Sequence, residues 1–194
     1  MRIGYFGGSF DPVHLGHLLL AQDALERAQL DRIVFVPAAQ APLKKNGPPG
    51  ASPKQRIAML EAAIAGRPEF SAARDEIKRG GVSYTVDTIR ALRKQHPGDD
   101  LYWIIGGDQA AQLADWRSID EICRLATFLC LQRPGFDKIH PPGIPINALE
   151  WISGRQMDLS STEIRERAAN GKSLEFFLPP AVANYINNHS LYSQ

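Results

Sequence analysis

The sequence predicts an α/β fold in which a parallel β-sheet is covered by helices on both faces. Strand-like and helix-like stretches alternate along the 194 residues, which is the pattern of strands joined by crossover helices. A strongly apolar run, Leu101–Ile105, supplies a central strand, and the 44% hydrophobic content is enough for a substantial core. We therefore expect residues 1–194 to form a single domain, with residues 160–194 as a small helical C-terminal segment.

The first elements follow from residue type and from the residues that end each run. Arg2–Phe6 is predicted to be a buried strand, and Leu15–Leu30 the helix after it. Arg32–Pro37 is a second strand, because its β-branched and aromatic run stops at a proline, which cannot donate a ladder hydrogen bond. A loop rich in proline and glycine follows over residues 38–51.

The alternation continues through the middle of the chain. Ser52, with Pro53 at the first helical position and Gln55 at the third, forms a capping-box signature for a helix that reaches Ala65. A weak strand is predicted over Glu69–Lys78.

The second half completes the pattern. Ser118 and Glu121 form a second capping-box signature, for a helix that ends near Leu125. The other predicted elements are a helix over Thr85–Gln95, strands over Thr127–Leu131 and Leu149–Ile152, a helix from Ser160 or Ser161 to Gly171, and a helix from Pro179 or Pro180 to Asn187.

Composition excludes several classes of protein. The net charge of +1 lacks the one-sided basic field of a protein whose main partner is a nucleic acid. No apolar run reaches transmembrane length, and the first residues do not resemble a signal peptide. Cys123 and Cys130 are too few for a disulfide framework and lack the spacing of a zinc site. We expect buried free thiols and a cytoplasmic protein without a membrane or nucleic-acid partner.

The turn after the first strand is a candidate anion site. Glycines at positions 7 and 8 let the backbone approach a ligand closely, and a helix begins around His14 or Leu15. His14 and His17 are three residues apart, so their rings project from one face of the first helical turn, beside free backbone N–H groups. We expect Gly16 to keep the approach to these groups open.

The segment Gly8–His17 resembles the Gly-x-Phe-Asp-Pro-x-His-x-Gly-His signature of the HxGH nucleotidyltransferases, which are Rossmann-like relatives of the class I aminoacyl-tRNA synthetase catalytic fold. In that family the two histidines bind and polarise ATP phosphates during attack on the α-phosphate, pyrophosphate leaves, and Mg²⁺ assists. The resemblance implies catalytic roles for His14 and His17 and ATP contacts for Gly8, Ser9 and Phe10. It implies neither a covalent intermediate nor a tightly bound cofactor.

Two further segments fit an ATP site. Leu159–Arg165 resembles the family's Ile-Ser-Ser-Thr-x-Ile-Arg motif, with leucine in place of isoleucine. By that resemblance Ser161, Thr162 and the catalytic Arg165 hold the triphosphate opposite the histidines, so that residues 160–194 complete the ATP site. A plain N-cap by Ser160 and Glu163 remains an alternative reading. Gly106 and Asp108 follow the central strand, where Asp108 can accept hydrogen bonds from ribose hydroxyls.

Three segments resemble bacterial nicotinate mononucleotide adenylyltransferases. Val36–Lys44 is similar to their Pro-x-x-x-x-Pro-His-Lys loop, with Leu43 in place of the histidine, and Lys44 offers a cation for phosphate or is a solvated loop lysine. In Ser83–Thr88 the resemblance implies that Tyr84 and Thr85 contact the pyridine carboxylate, although a helix cap by Ser83 or Thr85 explains the same residues.

The third segment is Leu113–Arg117, in which the resemblance implies that Trp116 stacks on the pyridine ring. A buried core tryptophan is the alternative reading. Together these features imply transfer of AMP from ATP to nicotinate mononucleotide, which yields nicotinate adenine dinucleotide and pyrophosphate in NAD biosynthesis. Mg²⁺ would accompany ATP, no resident protein metal site is expected, and a homo-oligomer is compatible with the sequence.

Two other functions share some of these features. Pantetheine-phosphate adenylyltransferases have the same histidine motif but lack the features of Trp116 and of Ser83–Thr85. A nucleotide-binding regulatory module without turnover would not need both histidines together with Arg165.

Overall fold

The computed structural model describes residues 1–42, 50–132, 140–155 and 157–193, and within them one parallel sheet of six strands forms the centre of the protein. The strands run in the order β3-β2-β1-β4-β5-β6, and every neighbouring pair is parallel. They are β1 Arg2–Gly8, β2 Arg32–Pro37, β3 Phe70–Ala72, β4 Asp100–Gly106, β5 Thr127–Gln132 and β6 Leu149–Ser153.

The helices lie on both faces of this sheet. They are α1 Leu15–Arg27, α2 Pro53–Ile64, α3 Asp75–Arg79, α4 Thr85–Gln95, α5 Gly107–Ala110, α6 Ile119–Leu125, α7 Ser161–Ala169 and α8 Pro180–Asn188, with 3₁₀ turns at Leu113–Asp115 and Ile146–Ala148. One hydrophobic core contains apolar residues of α1, α2, α7 and α8, and a second core contains those of α4, α5 and α6. The predicted α/β fold with helices on both faces is confirmed.

The central strand β4 shows how the sheet separates the two cores. Trp103 and Ile105 belong to the core on the α4 face, whereas Tyr102 and Ile104 belong to the core on the α1 face. Successive side chains of a strand point to opposite faces, so a strand that is apolar at every position is buried on both sides.

Several predicted boundaries differ from the observed ones. Helix α1 ends at Arg27 rather than Leu30. The weak strand over Glu69–Lys78 is wrong beyond its first residues, because β3 covers only Phe70–Ala72 and α3 follows it. This helix has acidic residues in its first turn and basic residues in its last, which suits the helix dipole.

The two predicted capping boxes have different outcomes. At Ser52 the cap is confirmed: the Gln55 N–H donates to the Ser52 hydroxyl at 3.4 Å, and the Ser52 N–H donates to Gln55 Oε1 at 2.9 Å. At Ser118 the prediction is wrong, because this residue has a left-handed backbone with φ of 54° and no side-chain cap hydrogen bond. A capping side chain reaches the first turn only from an extended backbone.

The strand order places a crevice between β1 and β4. From β1 the chain first builds outward through β2 and β3, and then returns to build β4, β5 and β6 on the other side. Ligands of open parallel sheets bind beyond the carboxyl ends of the strands at such a reversal. No helix in the described ranges is both long and apolar enough to cross a membrane.

Candidate active site

The turn after β1 is shaped by contacts with the protein's own aromatic rings. A Cβ added at Gly7 would lie 2.7 Å from Trp103, and one added at Gly8 would lie 2.9 Å from the ring of Phe10. Phe10 is 1% exposed and has φ of 47°, so its ring anchors the turn in the core. The two glycines are therefore required by packing as well as by any ligand that approaches the turn.

His14 and His17 form a stacked pair at the start of α1. Their ring centroids are 3.7 Å apart, with an angle of 29° between the planes. His14 is the N-cap residue, and its backbone N–H donates to Nδ1 of His17 at 3.2 Å. Because Nδ1 of His17 accepts this hydrogen bond, the proton of the neutral ring is assigned to Nε2, which can donate to a bound oxyanion.

The other ring of the pair is more deeply buried. His14 is 6% exposed, and burial lowers the pKa of its imidazole to about 4. Its Nδ1 is buried without a hydrogen-bond partner among the described residues. A buried polar atom of this kind is costly unless a ligand or water satisfies it. His14 is therefore a neutral ring in the ligand-free protein, with one ring nitrogen available to a partner.

Gly16 has a packing role that the sequence did not show, while its expected role in keeping the ligand approach open stays a prediction. A Cβ at this position would lie 3.0 Å from Nδ1 and 3.1 Å from Cε1 of His14. The glycine therefore makes room for the imidazole of His14 itself, and through it for the stacked pair.

Helix α7 reaches the same turn from the C-terminal part of the chain. The Ser161 hydroxyl donates to the carbonyl of Pro12 at 2.9 Å, and Arg165 Nη1 donates to the carbonyl of Asp11 at 2.8 Å. Arg165 Nη2 also donates to the Thr162 hydroxyl at 3.1 Å. The fold thus brings Ser161 and Arg165 against the turn before α1, 149 and 154 residues from their partners in sequence, with Thr162 held beside Arg165. The Ser160 side chain caps α7, which confirms the N-cap reading, whereas triphosphate binding by this segment stays a prediction.

A cleft of 380 Å³ adjoins this turn on the side of α4. It contains five of the residues expected at the site, namely Gly8, Ser9, Tyr84, Thr85 and Trp116. The histidine pair, Gly106, Asp108 and the α7 residues lie outside its lining. Lys44, like Leu43, falls outside the described residues. The candidate site therefore has two parts that share the backbone at Gly8 and Ser9.

Trp116 forms one wall of the cleft. Its ring packs edge-on against Phe128, with centroids 5.7 Å apart and an interplanar angle of 84°. Its Nε1 is buried without a hydrogen-bond partner in the part of the chain that the structure describes. Trp116 is therefore both a core contact and a cleft residue, and its stacking on a pyridine ring stays a prediction.

The start of α4 also lines the cleft, through Tyr84 and Thr85. Tyr84 is the N-cap residue and makes no side-chain cap hydrogen bond, which leaves the first N–H groups of the helix available. Ser83 does not cap the helix; its hydroxyl accepts a hydrogen bond from the Ala39 N–H at 3.0 Å and so ties α4 to the end of β2. The guanidinium carbon of Arg117 lies 4.7 Å from the centroid of the Tyr84 ring, so the residue that follows Trp116 contacts the start of α4.

Two buried charged residues at the site were missed from the sequence. Arg56 of α2 is 0% exposed and donates to the carbonyls of Ser9 at 2.6 Å and Ala39 at 3.5 Å. It therefore joins the loops that follow β1 and β2. Burial lowers the pKa of its guanidinium, and nearby Asp11 opposes that shift. The sequence signal that could have identified Arg56 was an arginine at an otherwise apolar position of α2.

Glu76 of α3 is the second of these residues and lines the cleft. It is 4% exposed, and the Thr88 hydroxyl donates to its carboxyl group. Burial raises the pKa of Glu76, while hydrogen bonds from Thr88 and Ser83 oppose the shift. Its position was hidden because the sequence predicted a strand in this region.

The loop after β4 holds the remaining expected residues. The Gly106 N–H donates to Gln109 Oε1 at 3.2 Å, and a Cβ at Gly106 would lie 2.6 Å from the Asp108 carboxylate. Asp108 is exposed just beyond the carboxyl end of β4, where it can accept hydrogen bonds from a ligand. Across the described ranges, no group of three or more His, Cys, Asp or Glu residues could hold a metal ion.

Comparison with known proteins gives consistent results. Residues 5–167 match the model of the cytidylyltransferase-like family. A relative from Opitutus terrae, named "probable nicotinate-nucleotide adenylyltransferase", is 49% identical over 192 residues, which cover 99% of this chain and 98% of the relative. A relative with the same name from Geobacillus thermodenitrificans is 42% identical over 98% of this chain and 86% of its own length.

Solved structures resemble the chain over its full length. Nicotinic acid mononucleotide adenylyltransferase of Plasmodium falciparum, complexed with NaAD, has a TM-score of 0.79 at 17% identity and covers 98% of this chain and 97% of its own. The same protein complexed with APC has a TM-score of 0.73 at 18% identity, with coverage of 98% and 96%. At these identities the likeness establishes the fold alone.

Proposed function

Because the chain belongs to the cytidylyltransferase-like family and, within it, to the nicotinate-nucleotide adenylyltransferases, we propose that it transfers AMP from ATP to nicotinate mononucleotide. The products are nicotinate adenine dinucleotide and pyrophosphate, and the reaction serves NAD biosynthesis. The chain is a nucleotidyltransferase with small-molecule substrates.

The observation that carries this proposal is the junction of the two parts of the site at Gly8 and Ser9. On one side of the junction lie His14, His17 and Arg165, which suit a triphosphate. On the other side lies the cleft with Trp116, which suits a flat heterocycle. A mononucleotide in the cleft with its phosphate at the junction would meet the α-phosphorus of ATP held by the histidine turn.

The chemistry asks little of the protein beyond positioning and charge neutralisation. The 5′-phosphate oxygen of the mononucleotide bonds to the α-phosphorus, and the bond from that phosphorus to the bridging oxygen breaks, so that pyrophosphate leaves. A phosphate is already a competent nucleophile at neutral pH, so no general base is required. His17 Nε2 and Arg165 are suited to stabilise the charge that develops on the phosphate oxygens.

Mg²⁺ belongs to this proposal as the companion of ATP. This ion keeps several waters and binds phosphate oxygens together with few protein carboxylates. When bound, Mg²⁺ neutralises charge on the triphosphate.

The remaining elements of the proposal concern specificity and context. The N–H groups at the start of α4 and the Arg117 side chain would receive the nicotinate carboxylate, with Tyr84 and Thr85 as the contact residues. Ser161 and Thr162, within a C-terminal portion over residues 160–194 of one domain, would complete the ATP site together with Gly106 and Asp108. A cytoplasmic location agrees with the free thiols of the two cysteines.

Pyrophosphate release in the presence of ATP, Mg²⁺ and one acceptor at a time tests the proposal. We expect release with nicotinate mononucleotide, less with nicotinamide mononucleotide and none with 4′-phosphopantetheine. Release only with phosphopantetheine would assign the chain to the pantetheine-phosphate reaction. ATP binding without release in any arm would favour a regulatory module.

A further inference from the structure

The C-terminal tail contacts the nucleotide-binding turn through one buried carboxylate. Asp11, within the histidine motif, is 3% exposed. Its carboxylate accepts hydrogen bonds from the Gly50 N–H at 2.7 Å, the Ala51 N–H at 3.0 Å and the Tyr192 hydroxyl at 2.8 Å. The last of these partners is 181 residues away in sequence, so only the folded tail supplies it.

The tail is held in place for this contact. Leu191 is 9% exposed within the core, and its N–H donates to the carbonyl of Ile186 at 3.0 Å. The next residue, Tyr192, has φ of 63°, a left-handed backbone that disfavours a bulky residue unless its surroundings enforce it. Its ring lies close to Gly50, where an added Cβ would approach it to 3.2 Å.

Arg165 stands beside the same carboxylate. Its Nη1 donates to the backbone carbonyl of Asp11 at 2.8 Å and lies 3.9 Å from the carboxylate oxygen Oδ2. An arginine in this position has two competing anionic partners, namely the buried carboxylate and an incoming phosphate. Which of them it favours depends on how completely the carboxylate is already hydrogen-bonded.

We propose that Tyr192 is a positioning residue for ATP, because its hydroxyl completes the hydrogen bonding of Asp11 and so leaves the Arg165 guanidinium available to the triphosphate. Without this hydroxyl the buried carboxylate lacks one donor, and the nearest cation, Arg165, turns toward it. The proposal rests on the proposed function for the role of Arg165 as a phosphate-binding residue.

The chemical state of Tyr192 agrees with this role. Burial and the neighbouring Asp11 carboxylate raise the pKa of the Tyr192 phenol above its ordinary value. The phenol therefore stays protonated at neutral pH and can donate to the Asp11 carboxylate.

The test compares two tyrosine variants by equilibrium binding of ATP with Mg²⁺ and no acceptor. Tyr192→Phe keeps the ring against Gly50 and removes only the hydroxyl. Tyr185→Phe in α8 is the matched control, since its hydroxyl forms no hydrogen bond among the described residues. We expect the Kd for ATP to rise about tenfold in Tyr192→Phe, the scale of one hydrogen bond to a charged group, and to remain unchanged in the control.

A double-mutant cycle with Arg165→Ala separates positioning from general stability. If Tyr192 acts through Arg165, Tyr192→Phe has no further effect on the ATP Kd once Arg165 is alanine. An equal loss of affinity in both backgrounds, or an unchanged Kd in Tyr192→Phe, overturns the proposal. Gly50→Ala provides a second variant, because its added Cβ displaces the tyrosine ring, and we expect it to weaken ATP binding in the same direction.

The binding cycle and the acceptor assay test the two proposals separately, so either proposal can be contradicted while the other stands. A wild-type protein that binds ATP but transfers nothing to nicotinate mononucleotide contradicts the proposed function, and the binding cycle still decides the role of Tyr192. Normal transfer together with an additive cycle contradicts only the role of Tyr192.

Discussion

Replacing Gly16 by alanine is expected to separate activity from stability. The added Cβ would lie 3.0 Å from Nδ1 and 3.1 Å from Cε1 of His14. Ordinary contacts between a methyl carbon and ring atoms begin at about 3.5 Å, so the His14 ring must move by roughly half an ångström. This displacement falls on the histidine that stacks on His17 at the start of α1, where we propose that phosphate binds.

The expected magnitudes follow from two opposing effects. Alanine is favoured over glycine in a helix by about 1 kcal/mol, and the contact with His14 costs a similar amount, so the free energy of unfolding should change by less than about 1 kcal/mol. The rate of turnover is more sensitive than the stability, because displacing a catalytic group by on the order of 1 Å lowers the rate about 10²-fold. We expect kcat to fall by about 10-fold to 100-fold.

The assay is pyrophosphate release at saturating ATP and nicotinate mononucleotide, with stability measured by urea unfolding. Gly98→Ala is the matched control, because an added Cβ there has no atom within 4 Å and the position lies in a loop far from the turn. Normal turnover in Gly16→Ala would refute the reasoning, as would a loss of activity that is matched by a comparable loss of stability.

Four other outcomes are expected. His17→Ala should lower kcat by about 10²-fold or more in the same assay with folding intact by circular dichroism, since it removes a transition-state donor; near-normal turnover would contradict that role. Trp116→Ala should raise the KM for nicotinate mononucleotide about tenfold, with a smaller change in the KM for ATP. Arg56→Met should lower the free energy of unfolding by about 2 kcal/mol in urea, because the Ser9 carbonyl loses its partner. Burial lowers the pKa of His14 to about 4, whereas the unfolded chain has about 6.5. The stability that the neutral ring contributes is therefore complete above about pH 6.5 and is lost as the pH falls from there toward 4. His14→Asn should make the free energy of unfolding, measured in urea, less dependent on pH over this range.

Elements defined by local patterns agree well with the structure. The strand Arg32–Pro37 and the helix Thr85–Gln95 have the predicted bounds. In each the residues that form and end the element are neighbours in sequence. The errors arose where the backbone angle of a single residue decided the outcome. Ser118 has the side chain of a cap, but its left-handed backbone is not the extended conformation of a cap residue, and the side chain makes no cap hydrogen bond.

The candidate site was predictable in its parts and not in its assembly. The spacing of His14 and His17 indicated a shared face, and the stacked rings agree with that. The role of Gly16 in making room for an imidazole required coordinates, because the sequence does not say which atom lies opposite an absent Cβ. Glu76 was missed for a similar reason, since its burial in the cleft depends on where α3 packs.

The sequence alone determined the alternation of strands and helices and the glycine-rich turn that leads from β1 to His14 and α1, because hydrophobic period, turn residues and helix starts are properties of a few adjacent residues. Only the tertiary structure decided how distant segments complete that turn. Arg56 reaches the Ser9 carbonyl across 47 residues, and Tyr192 reaches the Asp11 carboxylate across 181. Such hydrogen bonds form only when the fold brings the distant partners together, and no local pattern in the sequence records that contact.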